Sequence, residues 1–246
     1  MRLFLAILCF VLLSAARAPR YDATWISLME TASSEPIEFP KGQHIKIGRV
    51  VPVRLFKLLD DASVPSGPIS YLSKDTLIVP ADNELKKFCR FERHMGSAFG
   101  CLRDADGDGR FESYYGAQVF KEFFVGTVGD EGGSEALNSP ISYKEVNPSV
   151  DAPEIDLEFV YLGKKNDNKI LFRFCFSKKI YDGRTFYQSR HRKGYSVICS
   201  TDILSDPAMA ETHFGVNIVA NHVDDKMLKA LISPSNAAFK TSSNFR

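Results

Sequence analysis

The run "EIDLEFVYL", Glu154 to Leu162, followed across "GKKNDN" by "KILFRFCFS", Lys169 to Ser177, constrains the fold more than any other feature of the chain. In the first run Ile155, Leu157 and Phe159 fall on one side and Asp156 and Glu158 on the other. That period of two is the signature of a half-buried antiparallel strand. The second run is aromatic and β-forming, and the polar stretch 164–169 between them reads as a turn. Similar strand signals recur at 44–56, 75–80, 195–200 and 214–220, with turn chemistry at 65–68 and at 181–184, where Asp182-Gly183 suits a two-residue hairpin. The expected fold is therefore mainly β: an antiparallel sandwich-like domain or two small β subdomains, with few short helices. Two helices are expected, "TWISLMETA" (24–32) and "DDKMLKALI" (224–232). The second places Met227, Leu228, Leu231 and Ile232 on one face, with Asp224 as its cap. The stretch 83–95 fits either period; it is read as strand because Cys89 and Cys101 lie symmetrically about Met95.

With 246 residues, 44% of them hydrophobic and 12% aromatic, the chain has ample material for a packed core. The stretch 126–140, "GTVGDEGGSEALNSP", is rich in glycine and acid and reads as a linker or long loop. It would divide a β-rich region at 17–125 from a second at 141–232, or project as a long surface loop from a single sandwich. Residues 233–246 read as a flexible tail. No internal repeat points to a propeller or solenoid.

The first 16 residues read as a signal peptide: Arg2, the apolar run Leu3–Leu13, then the small residues Ser14 and Ala16. Cleavage after Ala16 is expected, since Pro19 would obstruct cleavage after Ala18. The apolar run is well short of the roughly 20 residues of a membrane-spanning helix. Once Cys9 leaves with the signal, Cys89, Cys101, Cys175 and Cys199 remain, an even number in a chain bound for an oxidising compartment. Two disulfides are expected. Cys89 with Cys101 closes a small loop. For Cys175 and Cys199 two arrangements compete. If 195–200 were the third strand of a meander, the two residues would lie about 9–10 Å apart, beyond the limit of about 7 Å for a bridge. If the intervening segment loops out, the bridge forms, and that arrangement is preferred.

"CLRDADGDGRFESYY" (101–115) sets Asp104, Asp106 and Asp108 at alternate positions around two glycines. Calcium takes six to eight oxygens, and such a loop converges carboxylates on one point. Asp104, Asp106 and Asp108 match the first, third and fifth ligands of an EF-hand-type loop. Gly109 matches the sixth position, the Arg110 carbonyl the seventh and Glu112 the ninth. The twelfth position, where a bidentate glutamate belongs, holds Tyr115, and the flanks read as strands. The expectation is therefore a structural calcium loop at a β-hairpin tip, resembling the D-x-D-x-D-G loops of many extracellular folds, with Glu92, Glu122 or water completing the sphere. An ion-free aspartate-glycine turn is the competing reading.

Between Lys164 and Lys193 ten basic residues face only Asp167 and Asp182. A solvated face is the simpler reading; if an anion binds there, the turn bearing Arg190, Arg192 and Lys193 is the contact. The chain's formal charge of +1 gives no field for nucleic acid. Motifs for serine hydrolases, zinc proteases and phosphate-cradling loops are absent from the sequence, and the histidines lack metal-ligand spacing. His94 and His213 are candidate general bases, and the competing reading of each is a surface or satisfied core histidine. The expected function is a secreted or periplasmic non-enzymatic binding protein that meets an envelope or extracellular component. The alternative is a secreted hydrolase of such a polymer.

Overall fold

The computed structural model describes residues 20–29, 35–63, 71–82, 86–90, 98–119, 127–130, 134–166, 169–179, 195–200, 202–208 and 211–240. The expected signal peptide, the turns expected at 181–184 and 190–194, His94, Glu92 and Glu122 lie outside them. In chain order the strands begin with β1 (Arg20–Asp22), β2 (Thr24–Met29), β3 (Ile37–Pro40), β4 (His44–Pro52), β5 (Leu55–Leu58), β6 (Ala62–Ser63) and β7 (Tyr71–Leu72). They continue with β8 (Leu77–Asp82), β9 (Lys87–Arg90), β10 (Ala98–Arg103), β11 (Arg110–Val119), β12 (Thr127–Asp130) and β13 (Glu135–Val146). After one helical turn, α1 (Pro148–Asp151), come β14 (Asp156–Asn166), β15 (Lys169–Lys179), β16 (Tyr195–Cys199) and β17 (Ile203–Ser205). The last are β18 (Glu211–His213), β19 (Val216–Val223), β20 (Met227–Pro234) and β21 (Phe239–Lys240). The fold is mainly β, and among the described residues every strand pairing is antiparallel.

Two assemblies emerge from the pairings. β5, β8, β9, β10, β11 and β13 pair in that order, and β13 pairs with both β11 and β5, closing a six-stranded barrel. Closure leaves these strands no open edge between them. One hydrophobic cluster draws on all six, including Phe56, Ile78, Phe88, Leu102, Phe111 and Ile141, and fills the interior. The second assembly is a sandwich. One of its sheets runs β16-β15-β14-β4-β2-β21 with β17 also on β15, and the other runs β18-β19-β20-β3. Phe39 of β3 and Phe159 of β14 meet between the sheets, ring centroids 4.7 Å apart. Because β4 and β14 pair directly, with Arg49 opposite Asp156, the barrel strands are an insertion between two neighbours of one sandwich sheet. Val79, Ala81, Cys89 and Cys101, from the barrel wall, belong to the sandwich's hydrophobic cluster, so the two assemblies share a packed boundary.

Both expected helices are strands. Over Thr24–Met29 burial alternates, with Trp25 and Ser27 inward, and β2 pairs with β4 from Trp25 to Met29. In β20 Leu228, Ala230 and Ile232 are wholly buried, a period of two in which Ala230 supplies the position that the helical reading left out. Asp224 caps no helix. Its Oδ1 accepts the amides of Lys226 and Met227, each at 2.7 Å, and tightens the β19–β20 turn. The Tyr161 hydroxyl donates to the Asp224 carbonyl at 2.6 Å. Burial, helped by Asp224 and Asp225, pushes this phenol up to about 12.

The stretch 126–140 runs as strand over much of its described length. β12 pairs with β11, and β13 begins at Glu135. In the tail, Phe239 lies opposite Trp25 and stacks with Phe176. The run 44–56 divides at Val53 and Arg54, just past Pro52, into sandwich strand β4 and barrel strand β5. Cys89–Cys101 and Cys175–Cys199 are both disulfides between residues directly opposite on adjacent strands, with Cα atoms 4.0 Å apart. β16 lies beside β15, so the once-removed spacing of a meander does not arise.

Candidate functional site: a carboxylate loop on the barrel

β10 and β11 are paired as far as Arg103 opposite Ser113, and the residues between them carry the acidic motif. The flanks are strands, as their sequence implies. On its other edge β11 pairs Arg110 with Ser142 and Phe111 with Ile141, then shifts register before Ser113. Glu112 sits at that irregularity, where an interrupted ladder can re-aim a side chain. It points back across the loop, and its Oε2 accepts the Ala105 amide at 2.9 Å.

Asp104, Asp106, Asp108 and Glu112 each bring one carboxylate oxygen within 4.8 Å of the others, a cluster able to hold a metal ion. Asp104 is the anchor, only 2% exposed. Its Oδ1 accepts the Gly107 amide at 2.5 Å, and its Oδ2 accepts the Gly109 amide at 3.1 Å and the Tyr143 hydroxyl at 2.8 Å. Asp106 Oδ1 accepts the Asp108 amide at 3.1 Å, and Asp108 Oδ1 accepts the Arg110 amide at 2.8 Å. These bonds wrap the backbone around the carboxylates. The loop can follow because Gly107 and Gly109 have φ of +82° and +88°, which other residues adopt at a cost. A carboxylate has about four lone-pair sites, so Asp106, Asp108 and Glu112 keep most of their accepting capacity.

The loop stands on an aromatic floor. Tyr143 stacks on Phe111 with centroids 4.3 Å apart and packs against Phe56 and Phe88. Burial first, then the hydrogen bond to Asp104 and that carboxylate's charge, push the Tyr143 phenol well above its ordinary value. Beside the same floor Arg54 lies over the Phe56 ring, 4.8 Å from its centroid, and forks onto Glu145 at 2.9 and 3.0 Å. That fork raises the guanidinium and lowers the Glu145 carboxyl relative to their ordinary values. Lys86 reaches over the loop from the turn before β9, its Nζ 2.5 Å from where a Cβ on Gly107 would stand. Its carbonyl accepts the Asp104 amide at 3.3 Å.

The structure thus brings together Asp104, Asp106, Asp108 and Glu112. Arg110 begins β11, and Tyr115 lies in β11 opposite Cys101. Arg190, Arg192 and Lys193 lie outside the described residues. Tyr143 and Lys86 are the site residues the sequence reading missed. Tyr143 lies 39 positions from Asp104, and no local pattern marks it.

The described histidines, His44, His213 and His222, are spread over the sandwich. His44 Nδ1 is 2.6 Å from Glu158, whose other oxygen accepts the Ser177 hydroxyl at 2.8 Å. His213 Nε2 lies 3.4 Å from Ser205 Oγ, beside a shallow pocket between Ile170, Phe172, Pro207 and Ile218. Ser205 is 4% exposed. Comparison with protein-family models, with curated proteins and with solved structures finds no match.

Proposed function

We propose that this chain is a secreted or periplasmic, non-enzymatic binding protein whose barrel carries one structural calcium ion in the Asp104–Glu112 loop. The observation that supports this most is the convergence of four carboxylates on a tightly turned hairpin tip. Two unit charges 4.8 Å apart repel by about 1 kcal/mol in water and about 3 kcal/mol at an effective dielectric of 20. Lys86, whose Nζ lies beside Gly107, offsets part of this, and a divalent cation would offset more. Calcium accepts an all-oxygen set of irregular geometry better than magnesium, which demands a near-octahedral shell and keeps its waters.

Two disulfides are compatible with an extracellular setting, and among the described residues no helix is long and apolar enough to cross a membrane. In this reading the ion braces the β10–β11 hairpin, and the partner is an envelope or extracellular component. The basic turn at Arg190, Arg192 and Lys193 is the proposed contact if that partner is anionic.

Isothermal titration of the mature chain tests the ion. The expected result is one calcium site with a Kd of about 10⁻⁴ to 10⁻³ M, weaker for magnesium and lost in Asp106→Asn/Asp108→Asn. No heat beyond dilution, with no calcium in the purified protein, would reject the site. Retention on dextran sulfate tests the contact: it should fall with salt and with Arg190→Gln/Arg192→Gln/Lys193→Gln, and retention unchanged by both rejects that turn.

A further inference from the structure

The two disulfides have the same cross-strand placement and opposite surroundings. Cys89 and Cys101 are 0% and 2% exposed, sealed where the barrel wall meets the sandwich core beside Val79 and Ala81. Cys175 is also 0% exposed, but its partner Cys199 is partly exposed. Cys199 ends β16, which pairs with β15 on one side and, among the described residues, with no further strand on the other. We propose that Cys175–Cys199 is a thiol-exchange site for small monothiols of the glutathione type, reached through Cys199 in the folded protein, while Cys89–Cys101 is a closed structural bridge. This inference does not depend on the calcium reading.

The chemistry follows from access. A thiolate attacks the more reachable sulfur of a disulfide and expels the other as the leaving group. An incoming thiolate therefore bonds to Cys199 Sγ, the Cys175–Cys199 bond breaks, and Cys175 leaves as a thiolate that takes up a proton. A second thiolate then attacks the outer sulfur of the mixed disulfide, giving the small-molecule disulfide and the Cys199 thiol. The two electrons come from the two monothiols.

The fold around the bridge has other support and can survive its opening. β15 and β16 are paired from Cys175 opposite Cys199 to Lys179 opposite Tyr195. Just past Cys199, the Ser200 amide donates to the Phe174 carbonyl at 2.8 Å and the Phe174 amide to Ser200 Oγ at 3.0 Å. Reaching Cys89–Cys101 instead requires the barrel to part from the sandwich, a larger opening with a higher free energy.

Graded treatment of the native mature protein with glutathione, trapping by iodoacetamide and peptide mass spectrometry provide the test. Cys175 and Cys199 should be trapped at least roughly tenfold faster than Cys89 and Cys101, with the mixed disulfide on Cys199 and an unchanged far-ultraviolet circular dichroism spectrum. Simultaneous opening, prior opening of Cys89–Cys101, or loss of the β spectrum before any trapping would overturn the proposal. Cys175→Ala/Cys199→Ala supplies an independent check. It should fold, and its remaining bridge should resist glutathione as in the parent; failure to fold, or a remaining bridge that opens readily, contradicts the assignment.

Discussion

Asp104 and Tyr143 carry the local energetics of the site. Asp104 is buried with three donors on its two oxygens, and replacing it by Ala leaves those donors unpaired. Gly107 is exposed and Gly109 and Tyr143 are half-buried, so water takes up part of the bonding, and a loss of about 1–3 kcal/mol is expected for removing a charged acceptor. Denaturant midpoints measure it, and a loss below about 0.5 kcal/mol would show that the anchor is not needed. Tyr143→Phe keeps the stacked ring and loses one charge-assisted hydrogen bond. It should also change the alkaline limb of stability. The folded phenol sits above its unfolded value, so below pH of about 10 both states hold the proton and the contribution is complete. As pH rises further the unfolded chain loses its proton first, and stability falls until the folded phenol also ionises. The loss between about pH 8 and pH 11 should therefore be smaller in Tyr143→Phe; an identical pH dependence contradicts the assignment. Lys86→Met removes the cation that reaches over Gly107 and should tighten calcium binding by severalfold, while a weaker site would mean that Lys86 holds the loop open for the ion.

The hairpin is the element that turns sequence into site. Cys89–Cys101 ties β9 to β10 two residues before Arg103, the last residue paired across to β11 ahead of the loop. Replacing both cysteines by alanine should cost about 3 kcal/mol on the chain-entropy account and loosen the loop whether or not an ion is present. Gly107→Ala should cost about 1 kcal/mol or more, because a side chain there must take a positive φ and displace Lys86. The strands around this hairpin were legible because a half-buried sheet writes its two faces into alternate residues. The acidic loop was legible because aspartate and glycine at fixed offsets form a local motif. β20 was misread because Met227, Leu228, Leu231 and Ile232 fit a helical face as well as a strand, and small, wholly buried Ala230 was the residue that decided between them. Asp224 was recognised as a capping residue, but the same chemistry serves a tight turn. The pairing of β13 with β5 and β11 left no such trace, because closure depends on partners far apart in the chain. Tyr143 was hidden for the same reason.

At the scale of the molecule, the barrel is inserted into the sandwich and shares its hydrophobic cluster through Val79, Ala81, Cys89 and Cys101. Unfolding should therefore be one cooperative event, with calorimetric and van't Hoff enthalpies equal; two resolved transitions would mean that the shared boundary contributes little. The cooperative link also makes a brace on one hairpin felt by the whole chain. At ten times its Kd, an ion that binds only the folded state adds about 1.4 kcal/mol, or roughly 3–6 °C in midpoint for a chain of this size. Thermal unfolding of the mature protein in calcium and in chelator tests the account most directly. It predicts a higher midpoint in calcium by that amount, with the difference abolished in Asp106→Asn/Asp108→Asn; equal midpoints in the two buffers, with no calcium in the purified protein, would contradict it.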